Sequence, residues 1–274
     1  MAHKNLHHIL EPLLARNFMA TYHATTDSDK LCCHKKAAPV NSAKISLIIP
    51  VGPDDSSWNS LLEQIALFQA WFAEIWLITT STDSADFECW TRRFSDSEII
   101  HWVHTIIGRG HQLNTGARLA KGSWLWFLHA DSRLSHDAIS ALSTALQSDH
   151  DSIYFFNLKF ETDGPTATRL NEWGAWMRSH WLRLPFGDQG LCMSRETFER
   201  LGGFPENVPY GEDHLLVWQA HKQRIPLRAI PATITTSARK YRSDGWFRTT
   251  IRHLWRTAAQ SLPQLVALLG SRLR

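Results

Sequence analysis

At 274 residues the chain is long enough for one substantial core and short for two full domains. Its 43% hydrophobic and 20% charged residues fit an ordinary folded globular protein and exclude a fibrous or fully disordered one. A net charge of +3 gives no reason to expect nucleic acid as a partner, and no run of about 18 apolar residues offers a membrane span. The charge is unevenly spread. Residues 239–274 carry eight Lys or Arg against one acid, Asp244, which leaves the rest with 21 basic and 25 acidic side chains. Four cysteines, Cys32, Cys33, Cys89 and Cys192, suggest no disulfide framework, so a reducing cytoplasm is expected. Cys32, Cys33 and His34 read as solvated thiols or, at less favourable spacing, as metal ligands.

In chain order, residues 1–43 are rich in His and short polar residues and read as a flexible extension. The segment lacks a continuous apolar signal core, being broken by His7, His8, Glu11 and Pro12. Residues 44–50, KISLIIP, read as a strand ending at a proline. Trp58, Leu61, Leu62, Ile65, Phe68, Trp71 and Phe72 follow helical spacing and predict an amphipathic helix over 56–73. Strands are predicted over 74–79 and 98–104. Residues 108–134 then read as a glycine-containing loop, a small-residue helix closed by a Gly122 C-cap, and a strand, WLWFL, buried on both faces. That strand ends in His129-Ala130-Asp131, where open α/β sheets bind their ligands.

Ser135 can cap a helix to about residue 148, with Ile139, Leu142 and Leu146 inward. A strand over 153–160 precedes a Trp-rich helix over 167–184, with Leu170, Trp173, Met177 and Trp181 on one face. Gly187-Asp188-Gln189-Gly190 punctuates a short strand at 191–193, and Ser194 opens a short helix ending at Gly202-Gly203. A helix over 212–223, a strand over 228–236 and a basic helical tail complete the chain. Strands alternating with helices predict an α/β fold with a mainly parallel sheet flanked by helices. The domain plan is an extension at 1–43, one domain at 44–238 and a tail at 239–274.

The set Arg109, Gly110, Gln112, Asn114, Gly116, Ala117, Gly122, His129, Ala130 and Asp131 resembles family 2 glycosyltransferases of the GT-A fold. It is most similar to a bacterial subgroup whose metal motif reads His-Ala-Asp rather than Asp-x-Asp. The resemblance implies a nucleotide-sugar donor lying against Arg109, Gln112, Asn114 and Gly116. It also implies Mg²⁺ or Mn²⁺ at Asp131, with His129 touching the metal or a phosphate, or else being only a strand-end histidine. Asp188 lies in a segment similar to the family's sugar-and-acceptor loop, although a glycine-flanked turn needs such an Asp for itself. Glu212-Asp213 opens a helix, where acids are favourable in any case. The resemblance places the catalytic base at Asp213, whose carboxylate would take the acceptor's proton. Arg239, in Ser237-Ala238-Arg239, is a donor-phosphate partner or a solvated cation.

The chain departs from the family at two places. Gly52-Pro53-Asp54-Asp55 follows the first strand instead of an Asn-Glu, and Thr79-Thr80 stands where an acid normally reads the nucleoside. A hydroxyl can bond a base but is no charged acceptor. The expected reaction is sugar transfer from a nucleotide-diphosphate donor to an unidentified acceptor, with inversion; the alternative is an inactive binding or assembly module of the same fold. The tail has two readings. Residues 246–262 either pack an apolar face on the domain or lie on the inner face of the cytoplasmic membrane, where a lipid-linked acceptor would be met.

Overall fold

The computed structural model describes residues 45–53, 55–80, 88, 92–94, 97–147 and 151–272. The N-terminal extension, Cys32, Cys33, Cys89 and Asp54 lie outside these. The strands are β1 (Ile45–Val51), β2 (Phe72–Thr79), β3 (Ile100–His104), β4 (Trp124–Phe127), β5 (Ser132–Arg133), β6 (Ile153–Phe160), β7 (Cys192–Ser194) and β8 (Leu227–Thr236). They form one eight-stranded sheet in the order β3-β2-β1-β4-β7-β6-β8-β5. β3, β2, β1 and β4 are parallel, as are β6 and β8. The short β7 runs antiparallel between β4 and β6, and β5 runs antiparallel to β8. The sheet is therefore mixed, with its parallel half first in the chain.

The helices are α1 (Trp58–Ala66), α2 (Arg109–Leu119), α3 (His136–Ala145), α4 (Thr168–His180), α5 (Arg195–Leu201), α6 (Glu212–Lys222), α7 (Arg239–Ser243) and α8 (Trp246–Arg272). Alternate residues of the central strands face opposite sides. Leu47, Ile49, Leu77 and Trp126 pack with Trp58, Leu61 and Ile65 of α1 and Ile139 and Leu142 of α3. Ile48, Ile78, Leu125 and Phe127 pack with Leu113 of α2, Phe198 of α5 and Leu216 and Val217 of α6. Each face of the sheet thus has its own core, which is why β4 is continuously apolar and β1 is apolar but for the buried Ser46.

Two expectations are corrected. The helix expected over 56–73 stops at Ala66, and Phe72 instead begins β2, paired with Ile45 and stacked on the Trp126 ring at 6.1 Å. Sheet pairing overrides the local helical spacing there. Gly122 is not a left-handed C-cap; α2 ends at Leu119, with Ala120 extended. The Gly122 amide instead donates to Ser46 Oγ (2.9 Å) and to the buried Glu74, while Arg195 reaches the α2 carbonyls of Ala117 (3.1 Å) and Ala120 (2.6 Å). The row that shares one face of α4 lies toward solvent: Trp173 is 62% exposed and Trp181, just past its end, 69%.

Candidate functional site

The site forms where β1, β2 and β4 end and α2 begins. Gly108 enters α2 with φ 139°, a backbone that favours glycine. The small residues of α2 let it lie close to its neighbours: a Cβ at Gly110 would stand 2.4 Å from the Pro205 carbonyl oxygen, and one at Gly116 2.5 Å from Ile48. Of the residues expected at the donor, two side chains are engaged within the framework and a glycine packs against the sheet. Gln112 is buried, and its Nε2 donates to Val51 O (2.8 Å) and Ile78 O (2.6 Å), tying the ends of β1 and β2 together. Asn114 donates to Phe204 O (2.8 Å) and Glu206 (2.8 Å) and accepts from Phe204 N (2.9 Å), fastening the 204–206 loop to α2. Gly116 faces the sheet. A buried strand-end carbonyl needs a donor, and here the helix supplies it.

Beyond this framework the charged groups converge on Gly187, which opens a 3₁₀ turn ending at Gln189. A Cβ on Gly187 would meet Asp213 Oδ2 at 2.8 Å, His129 Nε2 at 3.1 Å and an Arg109 guanidinium nitrogen at 3.2 Å. Its amide donates to Asp213 Oδ2, while Asp213 Oδ1 accepts from the His214 amide (2.8 Å). Arg109 contacts His129 Nε2 and pairs through Nε with Glu212 Oε1 at 2.9 Å. Burial, helped by the Arg109 and Lys240 cations, pushes the His129 pKa well below its usual value and leaves the imidazole neutral. A void of about 10 Å³, the least that one water needs, lies between Arg109, His129, Gly187 and Asp213.

Asp188 sits beside this group, with one carboxylate oxygen buried and unpartnered. Burial, with the charges of Asp213 and Asp131, pushes its pKa up to about 6 against the pull of Arg178 and Arg109. Arg178, on α4, lies 3.2 Å over the Phe186 ring and donates to Leu184 O (2.7 Å). Burial lowers its pKa to about 10, so it stays charged at neutral pH. Arg178 was not foreseen, because an arginine in a Trp-rich helix looks the same whether it is solvated or buried. Tyr241 of α7, whose pKa burial and the Asp188 charge push up to about 12, joins the same cluster and was likewise unforeseen.

Asp131 stands at the turn after β4. Burial and the nearby Asp55 charge raise its pKa, although a hydrogen bond from Thr236 and the Arg239 charge oppose them. Arg239 reaches across to Asp55 (3.4 Å) and to the Ser57 hydroxyl, placing this cation beside the two carboxylates. Among the described residues no three His, Cys, Asp or Glu side chains gather as a metal cage. An oxygen set of one or two carboxylates nevertheless suits Mg²⁺ or Mn²⁺, which complete their shells with water and substrate phosphates. A divalent ion would also offset the burial and the Asp55 charge that together raise the Asp131 pKa, so Asp131 and Asp55 fit such an ion. His129 fits it poorly as a ligand, since its Nε2 already faces the Arg109 cation. At the β2 end, the buried Thr80 Oγ has no partner, a free hydroxyl where an acid was expected.

A mixed α/β sheet with acids and arginines gathered at its strand ends is the architecture of the GT-A fold. The family model described as glycosyl transferase family 2 matches residues 58–204, and the chain belongs to that family. A comparison with curated proteins returns no match. Among solved structures, the chain resembles in fold a mannosyltransferase from Pyrobaculum calidifontis in complex with GDP-Man and Mn²⁺. The TM-score is 0.59 at 19% identity, over 87% of this chain and 72% of that one. GalNAc-T7 with UDP, GalNAc and Mn²⁺ gives 0.56 at 13%, over 72% of this chain but only 44% of its own. S. aureus TarS 1–349 in complex with UDP-GlcNAc gives 0.54 at 16%, over 71% and 58%.

Proposed function

We propose that the protein transfers a sugar, with inversion, from a nucleotide-diphosphate donor to an acceptor hydroxyl or carboxylate. The observation that carries this reading is the convergence of Asp213, His129 and Arg109 on Gly187, with Asp188 next to it and Asp131, Asp55 and Arg239 at the neighbouring strand ends. The acceptor oxygen attacks the anomeric carbon as the bond from that carbon to the diphosphate breaks and the nucleoside diphosphate leaves with the electron pair. Asp213 takes the proton of a hydroxyl acceptor; its hydrogen bonds from Gly187 and His214 fix the carboxylate's direction. Arg109 and Arg239 face the diphosphate charge, and His129, neutral, holds the Arg109 guanidinium in place. Asp188 accepts a hydrogen bond from a sugar hydroxyl through its unpartnered oxygen. A Mg²⁺ or Mn²⁺ ion held at Asp131 and Asp55 would neutralise the departing diphosphate. Gln112 and Asn114 act by holding the strand ends and the 204–206 loop, and Gly116 by letting α2 lie close on Ile48 and Ile78, rather than by touching the donor.

The relatives in complex with GDP-Man and UDP-GlcNAc support the donor class and leave the nucleotide open. A second reading, an inactive binding module, rests on Thr79 and Thr80 in place of the usual acid. Thermal shift with a panel of nucleotide-sugars, with and without Mn²⁺, separates the two from a chain that binds no donor. A donor at a hundred times its Kd stabilises the fold by about 2.7 kcal/mol. Metal-dependent stabilisation followed by release of nucleoside diphosphate supports transfer. Stabilisation without release under any acceptor supports the inactive module, and no stabilisation by any donor overturns both.

A further inference from the structure

The long C-terminal helix is turned inside out. Its polar face lies on the domain: Gln260 donates to Tyr210 O (2.8 Å) and meets His214 Nδ1 (3.1 Å), Ser261 meets His214 Nε2 (3.2 Å), and Gln264 accepts from Lys222 (2.8 Å). Its apolar face points to solvent, with Phe247, Ile251, Leu254, Trp255, Leu262 and Val266 all exposed. An amphipathic helix ordinarily buries the other side. α8 also touches α4, where Asn171 accepts from Trp246 Nε1 (2.6 Å) and donates to Thr250 (3.1 Å). The outward row of α4 includes Leu170 and Trp173, both exposed and next to that junction. Exposed apolar surface of this extent marks a docking face.

Charge selects the occupant. Residues 239–274 carry eight Lys or Arg and only Asp244 as an acid, which is paired with Arg252 at 3.6 Å. Arg239 belongs to the site and Arg256 lies over the Tyr210 ring, which leaves Lys240, Arg242 and Arg248 exposed among the described side chains. Arg248 is exposed beside the apolar row. A second copy of this face would bring like charges together, which association disfavours. An anionic lipid surface meets both the cations and the tryptophans, which favour the membrane–water boundary. Among the described residues no helix is long and apolar enough to cross a membrane, so α8 would lie on the bilayer rather than span it. We propose that the outward faces of α4 and α8 form an interfacial surface that docks the protein on an anionic bilayer. The surface adjoins the site: Gln260 braces the turn before Asp213, and Arg178 of α4 lies by Asp188. If the transfer reading holds, a lipid-linked acceptor is delivered on this side.

Co-sedimentation of the full chain with phosphatidylcholine vesicles, with and without phosphatidylglycerol, tests the docking, and no donor is present. Binding is expected only to the anionic vesicles and should weaken as salt is raised. Arg248→Gln should lower the partition roughly fivefold, and Leu254→Gln with Trp255→Gln at least about tenfold. These side chains are exposed, so circular dichroism and melting of the variants should match the wild type. Four outcomes overturn the proposal: no binding to anionic vesicles, equal binding to neutral ones, unchanged binding by the variants, or a lipid-free dimer that Trp255→Gln dissolves. Such a failure leaves the transfer reading untouched, and a chain that docks yet binds no nucleotide-sugar fails only that reading.

Discussion

Gly187 carries no functional group, yet three functional side chains close on its Cα. Gly187→Ala places a methyl within 2.8 Å of Asp213 Oδ2 and must push that carboxylate away. The expected result is a loss of at least about tenfold in turnover and about 1–3 kcal/mol of stability; unchanged kinetics would show that Asp213 need not sit there. Asp213→Asn keeps the shape and removes the base, so donor affinity should hold while turnover falls roughly 10²–10⁴-fold. Wild-type turnover in that variant would remove the assignment. Asp188 makes a prediction about stability. Its folded pKa is about 6, whereas an unfolded Asp titrates near about 3.9. The folded state therefore holds the extra proton across that window, and stability falls as pH rises through it. Asp188→Asn should make the protein more stable at pH 7 by at most about 3 kcal/mol, a gain that vanishes below about pH 4. Denaturant melts at the two pH values would show it, and equal effects at both would contradict the burial of Asp188. Asp131, Asp188 and Asp213 were legible because each stands at a strand end, a glycine turn or a helix start. Arg178 was not, since its burial comes from the packing of α4 and Phe186 rather than from its neighbours in sequence.

At the scale of elements, α2 shows how a motif can be read correctly in place and differently in use. Its small and amide residues mark the right helix, but Gln112 and Asn114 spend their amides on the β1, β2 and 204–206 backbones. Gln112→Met removes both hydrogen bonds to the Val51 and Ile78 carbonyls at similar volume, a loss of about 2–4 kcal/mol in thermal or denaturant melts. Unchanged stability with weakened donor binding would return Gln112 to the donor. The strand at β2 was legible from its apolar run, but its start was not, because Phe72 continues the helical spacing of α1 and only pairing with Ile45 decides against it. The row on α4 was legible as a face, though not as an outward one. Periodicity says which residues share a side and leaves open what covers that side.

Across the whole molecule, the alternation of strands and helices led to a mainly parallel sheet, and the two apolar cores confirm helices on both faces. The antiparallel β7 and the edge β5 were not expected as sheet partners of that kind, because strands of three and two residues carry too little pattern to place. The same topology brings residues from four separate segments, Asp55, Asp131, Asp188 and Asp213, to one end of the sheet, where the proposed function puts a cation-bridged diphosphate. Calorimetric titration of the wild type and of Asp131→Asn with nucleotide-sugars, each with and without Mn²⁺, tests this most directly. The account predicts that one donor binds the wild type only with Mn²⁺, and that Asp131→Asn stays folded but loses that metal-dependent affinity by at least about tenfold. Equal metal-dependent affinity in the two proteins would contradict it.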